Sequence, residues 1–91
     1  MSADERIYVG SKPILAYVTA VVTALQRAES VKVMARGRAI SSAVDVVEVT
    51  KRSFLTNLNV DGIEIGTETL GEVGNTRNVS TIAIRLSQFK E

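Results

Sequence analysis

The sequence predicts an α/β fold, a two-layer sandwich in which two helices lie on one face of a mixed four-stranded sheet. Three observations support this prediction. Two segments carry apolar residues at helical spacing, a short β-like run precedes each of them, and the last third of the chain alternates as a long β-hairpin does. The predicted order is βαβαββ, and a right-handed crossover makes the first two strands parallel neighbours.

The first half of the chain contains two strand–helix units. Residues 6–9 form a short β-like run, and a turn then leads through Pro13 into an amphipathic helix predicted over residues 14–27. Residues 31–35 follow as the second strand, and a second helix is predicted over residues 39–55.

The second helix is apolar over more than half of its circumference. Its predicted core stripe consists of Ile40, Ala43, Val44, Val47 and Phe54. Val46 and Val49 widen the apolar arc, so we expect this helix to contact the sheet and also a second subunit. The alternative is that one chain buries the whole arc.

The last third of the chain predicts a hairpin with a polar tip. Residues 57–62 are rich in turn formers, and residues 63–66 alternate as a strand does. A polar segment with glycines, residues 70–78, then connects to a second alternating run over residues 81–86. With 91 residues in all, residues 1–91 are expected to form a single domain whose small core gains from self-association.

Composition argues against several classes of function. The sequence has no Cys and no His, which rules out disulfides, zinc fingers and a Ser/His/Asp triad. We therefore expect no enzyme, no metal and no cofactor. No run approaches the roughly 18 apolar residues of a membrane span, and the start of the chain lacks the apolar region of a secretory signal. A cytoplasmic protein without membrane contact is expected.

The basic residues are placed more informatively than the net charge of +1 suggests. Lys12 precedes the first helix, and Arg36 and Arg38 precede the second. Both strand-to-helix connections of a βαβ unit leave the same edge of the sheet, so these cations should converge where two helix N-termini also favour phosphate. The acidic residues Glu64, Glu68 and Glu72 cluster elsewhere, on or near the third strand.

Two further residues extend this predicted phosphate-binding edge. Gly37 gives the backbone between the two arginines room to approach a ligand. Arg77 near the hairpin tip places a cation on an arm that can reach a minor groove. The alternative for all of these arginines is that they are solvent-facing loop residues.

Four motifs stand in register along nearly the whole chain. They are GSKPILAYV (10–18), ARGRAIS (35–41), RSFL (52–55) and NVSTI (78–82). Together they resemble the Alba family of archaeal chromatin proteins. The resemblance implies a fold like the C-terminal domain of translation initiation factor three, with a protruding hairpin. It also implies a homodimer that coats and compacts double-stranded DNA without sequence preference and binds RNA as well.

The resemblance also implies residue roles. Lys12 corresponds to a lysine whose acetylation weakens DNA binding, which implies an acetylase and a deacetylase as partners. Arg36 and Arg38 would contact phosphates, Arg77 would enter the minor groove, and Phe54 would contact neighbouring dimers on chromosomal DNA.

This sequence departs from the family pattern in ways that weaken phosphate binding. Ser11 stands where some members carry a second lysine, the hairpin tip has little positive charge, and the net charge is low. An RNA-binding or ribonucleoprotein subunit on the same scaffold is the alternative function. A dimer that only binds protein is a third.

Overall fold

A computed structural model describes residues 4–89, so residues 1–3 and 90–91 of the predicted domain lie outside the described range. The six elements follow the predicted order. They are β1 (Asp4–Tyr8), α1 (Ile14–Leu25), β2 (Ser30–Arg36), α2 (Ala39–Ser53), β3 (Leu58–Glu72) and β4 (Asn75–Gln88). The predicted βαβαββ fold with a mixed four-stranded sheet is confirmed.

The sheet has the strand order β1-β2-β4-β3, and only β1 and β2 are parallel. Alternate residues of β2 point toward the helices, and these are Val31, Val33 and Ala35, all buried. Their partners on β4 are Leu86, Ile84 and Ile82. Paired residues share a face of the sheet, so the core lies between this face and the two helices.

The helices close the core with small and β-branched side chains. Pro13 begins α1 with a φ of −58°, which is already suited to a helix. The helix then buries Tyr17, Val18, Val21, Ala24 and Leu25. Each large apolar side chain buried in this way stabilises the fold by about 1.5–3 kcal/mol. Neither helix in residues 4–89 is long and apolar enough to cross a membrane.

The buried stripe of α2 differs from the predicted one. It consists of Ala43, Val46, Val47 and Thr50, and Val44 and Phe54 are exposed instead. The prediction that Val46 contacts a second subunit is wrong, because its own chain buries this side chain completely. Thr50 joins the stripe because its hydroxyl donates to the Val46 carbonyl oxygen at 2.7 Å, which satisfies the buried polar group.

The hairpin is longer and its tip tighter than predicted. Residues 58–62 and most of residues 70–78 belong to the ladder, which runs from Leu58 paired with Gln88 to Glu72 paired with Asn75. The connection is only Val73 and Gly74, and Gly74 supplies the positive φ that a two-residue turn needs. Six residue pairs extend beyond the end of β2 and form an arm about 20 Å long.

Two ion pairs fasten β1, an edge strand, to the rest of the molecule. Arg85 of β4 donates to both carboxylate oxygens of Asp4 at 3.0 Å. Arg27, just after α1, contacts Glu5 at 2.6 Å. The hydrogen bond from Arg27 lowers the pKa of the Glu5 carboxyl below its ordinary value.

Candidate nucleic-acid interface

The loop that carries Lys12 is held by the side chain of Tyr17. The Tyr17 hydroxyl accepts hydrogen bonds from the backbone N–H of Gly10 at 2.8 Å and of Lys12 at 3.0 Å. The ring itself is buried in the core, one turn into α1. A core residue therefore fixes the backbone of the loop, while the Lys12 side chain lies exposed.

The loop that carries Arg36 and Arg38 is fixed through Gly37. This glycine has a φ of +58°, a left-handed conformation that other residues rarely adopt. Its N–H donates to the Ser80 carbonyl oxygen at 2.9 Å, and a Cβ here would lie 3.3 Å from Val79. Gly37 thus joins β2 to β4 at a close approach, a role in the fold that the sequence did not reveal.

The two loops leave the same edge of the sheet. β1 and β2 run parallel, and the Val9 N–H donates to the Met34 carbonyl oxygen at 2.8 Å just before the first loop begins. Gly10 and Tyr17 of the first loop line one groove together with Arg36 of the second. The structure therefore places Lys12 and the two arginines at a common edge, which we call the basic edge.

Arg77 also belongs to the basic edge. A groove between the hairpin arm and the second loop is lined by Arg36, Arg38 and Arg77. The sequence analysis treated Arg77 as a separate site, because nothing in the spacing shows that the arm starts beside the second loop. Three guanidinium groups around one groove suit a phosphate backbone.

Carboxylates on the arm limit the charge of the basic edge. The pairings of β3 put Glu64, Glu68 and Glu72 on the face of the sheet opposite the helices. Arg36 points to the same face and forms an exposed ion pair with Glu68. No carboxylate of residues 4–89 pairs with Arg38 or Arg77. Sequence reasoning missed the Arg36 pair, since its partners lie on strands that are not consecutive in the chain.

The N-terminus of α2 adds to the attraction for anions. This helix has no side-chain cap and no acidic residue in its first turn, so its free N–H groups and its dipole favour a negative ligand. By contrast, no group of three or more Asp or Glu side chains able to hold a metal ion occurs in the described part of the chain.

The residues expected at a subunit contact are distributed differently from the prediction. Val49 is half-buried, and Phe54 is exposed. The largest apolar exposure lies on β3, where Ile65 is 83% exposed and Ile63 is also exposed. Both isoleucines pair with core residues of β4, so they point to the helix side of the sheet, where Ile40 of α2 borders the same groove as Ile65. We call this surface the apolar flank.

Comparisons with known proteins agree with the fold and the basic edge. The family model described as Alba matches residues 5–69. The chain is 48% identical to the "DNA/RNA-binding protein Alba" of Methanothrix thermoacetophila, covering 97% of this chain and 100% of the relative. A solved structure of Alba from Thermoplasma volcanium superposes with a TM-score of 0.84 at 40% identity, covering 92% of this chain and all of the other.

A more distant structure shares the same architecture. A crystal structure of an Alba protein from Trypanosoma brucei superposes with a TM-score of 0.79 at 26% identity, covering 92% of this chain and 68% of the other. The match of the family model over most of the chain and the high identity to archaeal relatives agree with each other. This chain belongs to the Alba family.

Proposed function

We propose that this protein binds double-stranded DNA without sequence preference, coats and compacts the chromosome in the cytoplasm as a homodimer, and also binds RNA. The observation that carries the proposal is the groove in which Arg36, Arg38 and Arg77 meet. The names of relatives, which include "DNA/RNA-binding protein Alba", support both nucleic acids. The protein acts by binding alone, without an enzymatic step or a cofactor.

Each cation of the basic edge has a role in this proposal. Lys12, Arg36 and Arg38 contact phosphates, and the arm carries Arg77 along the minor groove. Gly37 keeps the second loop close to the sheet, so the α2 N-terminus can approach the same phosphates. Phosphates are common to every sequence, so binding shows little sequence preference.

The proposal includes control through Lys12. Its side chain is exposed, so a modifying enzyme can reach it. Acetylation removes the ammonium charge and with it one phosphate contact. An acetylase and a deacetylase acting on Lys12 would therefore set the affinity for DNA.

The homodimer in the proposal uses the apolar flank. Exposed isoleucines beside an amphipathic helix form a surface that a second copy of the chain would bury. Val49 lies at the margin of this contact, and Phe54 remains available for contacts between neighbouring dimers on DNA. A two-fold axis at the flank gives the dimer two arms and two basic edges.

The test of the proposal removes two charges from the basic edge. In the variant Arg36→Ala with Arg38→Ala, binding to unrelated duplexes is expected to weaken similarly. The slope of log K against log salt is expected to flatten by about 1.8, from two lost phosphate contacts. Titrations by fluorescence anisotropy at several salt concentrations measure both effects.

A matched control removes the same charge from the other end of α2. The variant Lys51→Ala with Arg52→Ala is expected to bind nearly as the unmodified protein does, because both side chains lie away from the basic edge. Loss of binding for some sequences and not others, or equal loss in both double variants, would contradict the proposal.

RNA as the main target is the second candidate, because the names of relatives include both nucleic acids. Competition between duplex DNA and structured RNA at matched salt distinguishes the two. Similar affinities support the proposal, and a strong preference for RNA would overturn the role on the chromosome in favour of a ribonucleoprotein subunit.

A further inference from the structure

The face of the sheet opposite the helices carries an exposed aromatic ring. Tyr8 is the last residue of β1 and is 66% exposed. It is paired with Met34 of β2, which is paired in turn with Ala83 of β4. These three residues line a groove with Gly66 and Thr81. The small residues on β3 and β4 leave space above the sheet beside the ring.

Cations flank the ring on both sides. One row nearer the start of the strands, Arg6 is paired with Lys32, and Lys32 with Arg85. Like charges directly opposite each other destabilise a sheet, so three in a row call for an anion. Asp4 pairs with Arg85, but no carboxylate of residues 4–89 forms an ion pair with Arg6 or Lys32.

We propose that this open face binds a single-stranded segment of nucleic acid, with one base stacked on Tyr8 and the adjoining phosphates on Arg6 and Lys32. A flat aromatic ring on an exposed sheet stacks any unpaired base, and nearby cations hold the backbone. Bases within a duplex are already stacked on each other, so a duplex cannot use this ring. The inference rests on the proposed function, to which it adds a second site with a different ligand.

The geometry favours a nucleic acid over an apolar partner. The exposed apolar surface around Tyr8 is small, and it is bordered by Arg6 and Lys32 on one side and Arg36 on the other. A protein partner would have to cover these charges, whereas a polyanion neutralises them. Because Arg36 also belongs to the basic edge, a strand on this face runs directly toward the duplex site.

The experiment compares one variant on two ligands. The probes are a labelled, unstructured uridine oligomer of about 12 nucleotides and a duplex of mixed sequence, both at the same salt concentration. Tyr8→Ala is expected to weaken binding of the oligomer about 5-fold or more and to leave binding of the duplex nearly unchanged. Tyr8→Phe keeps the ring and is expected to keep the affinity for the oligomer.

Phe89→Ala is the matched control, because Phe89 is 65% exposed and follows β4 at the end far from the arm. This variant is expected to bind both probes as the unmodified protein does. The inference is overturned if Tyr8→Ala leaves binding of the oligomer unchanged or weakens both probes equally. It is also overturned if Tyr8→Ala changes the mass of the protein in solution, which would assign the face to a second copy.

Failure of the proposed function would look different. In that case Arg36→Ala with Arg38→Ala would leave duplex binding unchanged, whatever Tyr8→Ala does to the oligomer. The two double variants and the two Tyr8 variants therefore test the edge and the open face independently.

Discussion

A single hydroxyl group links the core to the basic edge at the residue scale. The ring of Tyr17 is buried, and its oxygen accepts two backbone N–H groups from the loop that carries Lys12. In Tyr17→Phe the ring stays buried, but both N–H groups lose their acceptor. We expect the free energy of unfolding to fall by about 1–2 kcal/mol, measured by urea denaturation, and binding to duplex DNA to weaken as the loop loosens.

Tyr8→Phe is the control for this prediction, since it also removes a phenol oxygen. The Tyr8 hydroxyl makes no hydrogen bond with any residue in the range 4–89, so this variant is expected to be as stable as the unmodified protein. Equal stability of the two variants would show that the Tyr17 hydroxyl does not hold the loop.

Single residues are also where sequence reasoning was least accurate. The helical period locates an apolar stripe only when polar residues bound it, and α2 is apolar around most of its circumference. The choice between Val44 and Val46 as a core residue was therefore set by packing, which buries Val46 and exposes Val44. Similarly, the positive φ of Gly37 and its contact with Val79 depend on a strand far along the chain.

On the scale of elements, β3 opposes the binding that the neighbouring loops favour. Its carboxylates face the same side as Arg36, and Glu68 forms an ion pair with that arginine. In Glu68→Gln, Arg36 is released for phosphate and a repelling charge is removed. Affinity for duplex DNA is expected to rise about 2- to 5-fold at low salt, in line with the modest strength of an exposed ion pair. Titration at low and high salt measures the gain and its screening.

Glu48→Gln removes the same charge from the exposed side of α2 and serves as the control. It is expected to change affinity less than Glu68→Gln does, because Glu48 lies outside the groove. A Glu68→Gln variant that binds DNA no better than the Glu48→Gln variant would mean that the ion pair does not compete with phosphate.

The elements themselves differ in how well the sequence predicts them. Both helices and the first two strands lie within a few residues of their predicted bounds, because one covered face gives each a clear pattern. The arm has no covered face, so its residues need not alternate, and residues 70–78 gave no signal for a ladder. For the same reason the acidic side chains of β3 could not be assigned to a face.

Considered as a whole, the molecule separates charges that nearly cancel in the net charge of +1. The arm extends its longest dimension to 53 Å, and the basic edge lies at the base of the arm. The predicted topology was correct because the order of elements and the right-handed crossover leave few arrangements. The pairing of edge and arm was not predictable, since it depends on the order of β2 and β4 in the sheet.

The apolar flank is the remaining whole-molecule feature, and its test is the oligomeric state. A charge at Ile65 would be buried without a partner if a second copy covers the flank, so Ile65→Asp is expected to produce monomers. A monomer has one arm and one basic edge, and its affinity for DNA should fall because the second contact is no longer tethered. Sedimentation equilibrium measures the mass. Val73→Asp makes a similar change at the fully exposed hairpin tip and should leave the mass unchanged. If Ile65→Asp keeps the mass of the unmodified protein, the two copies do not meet through β3.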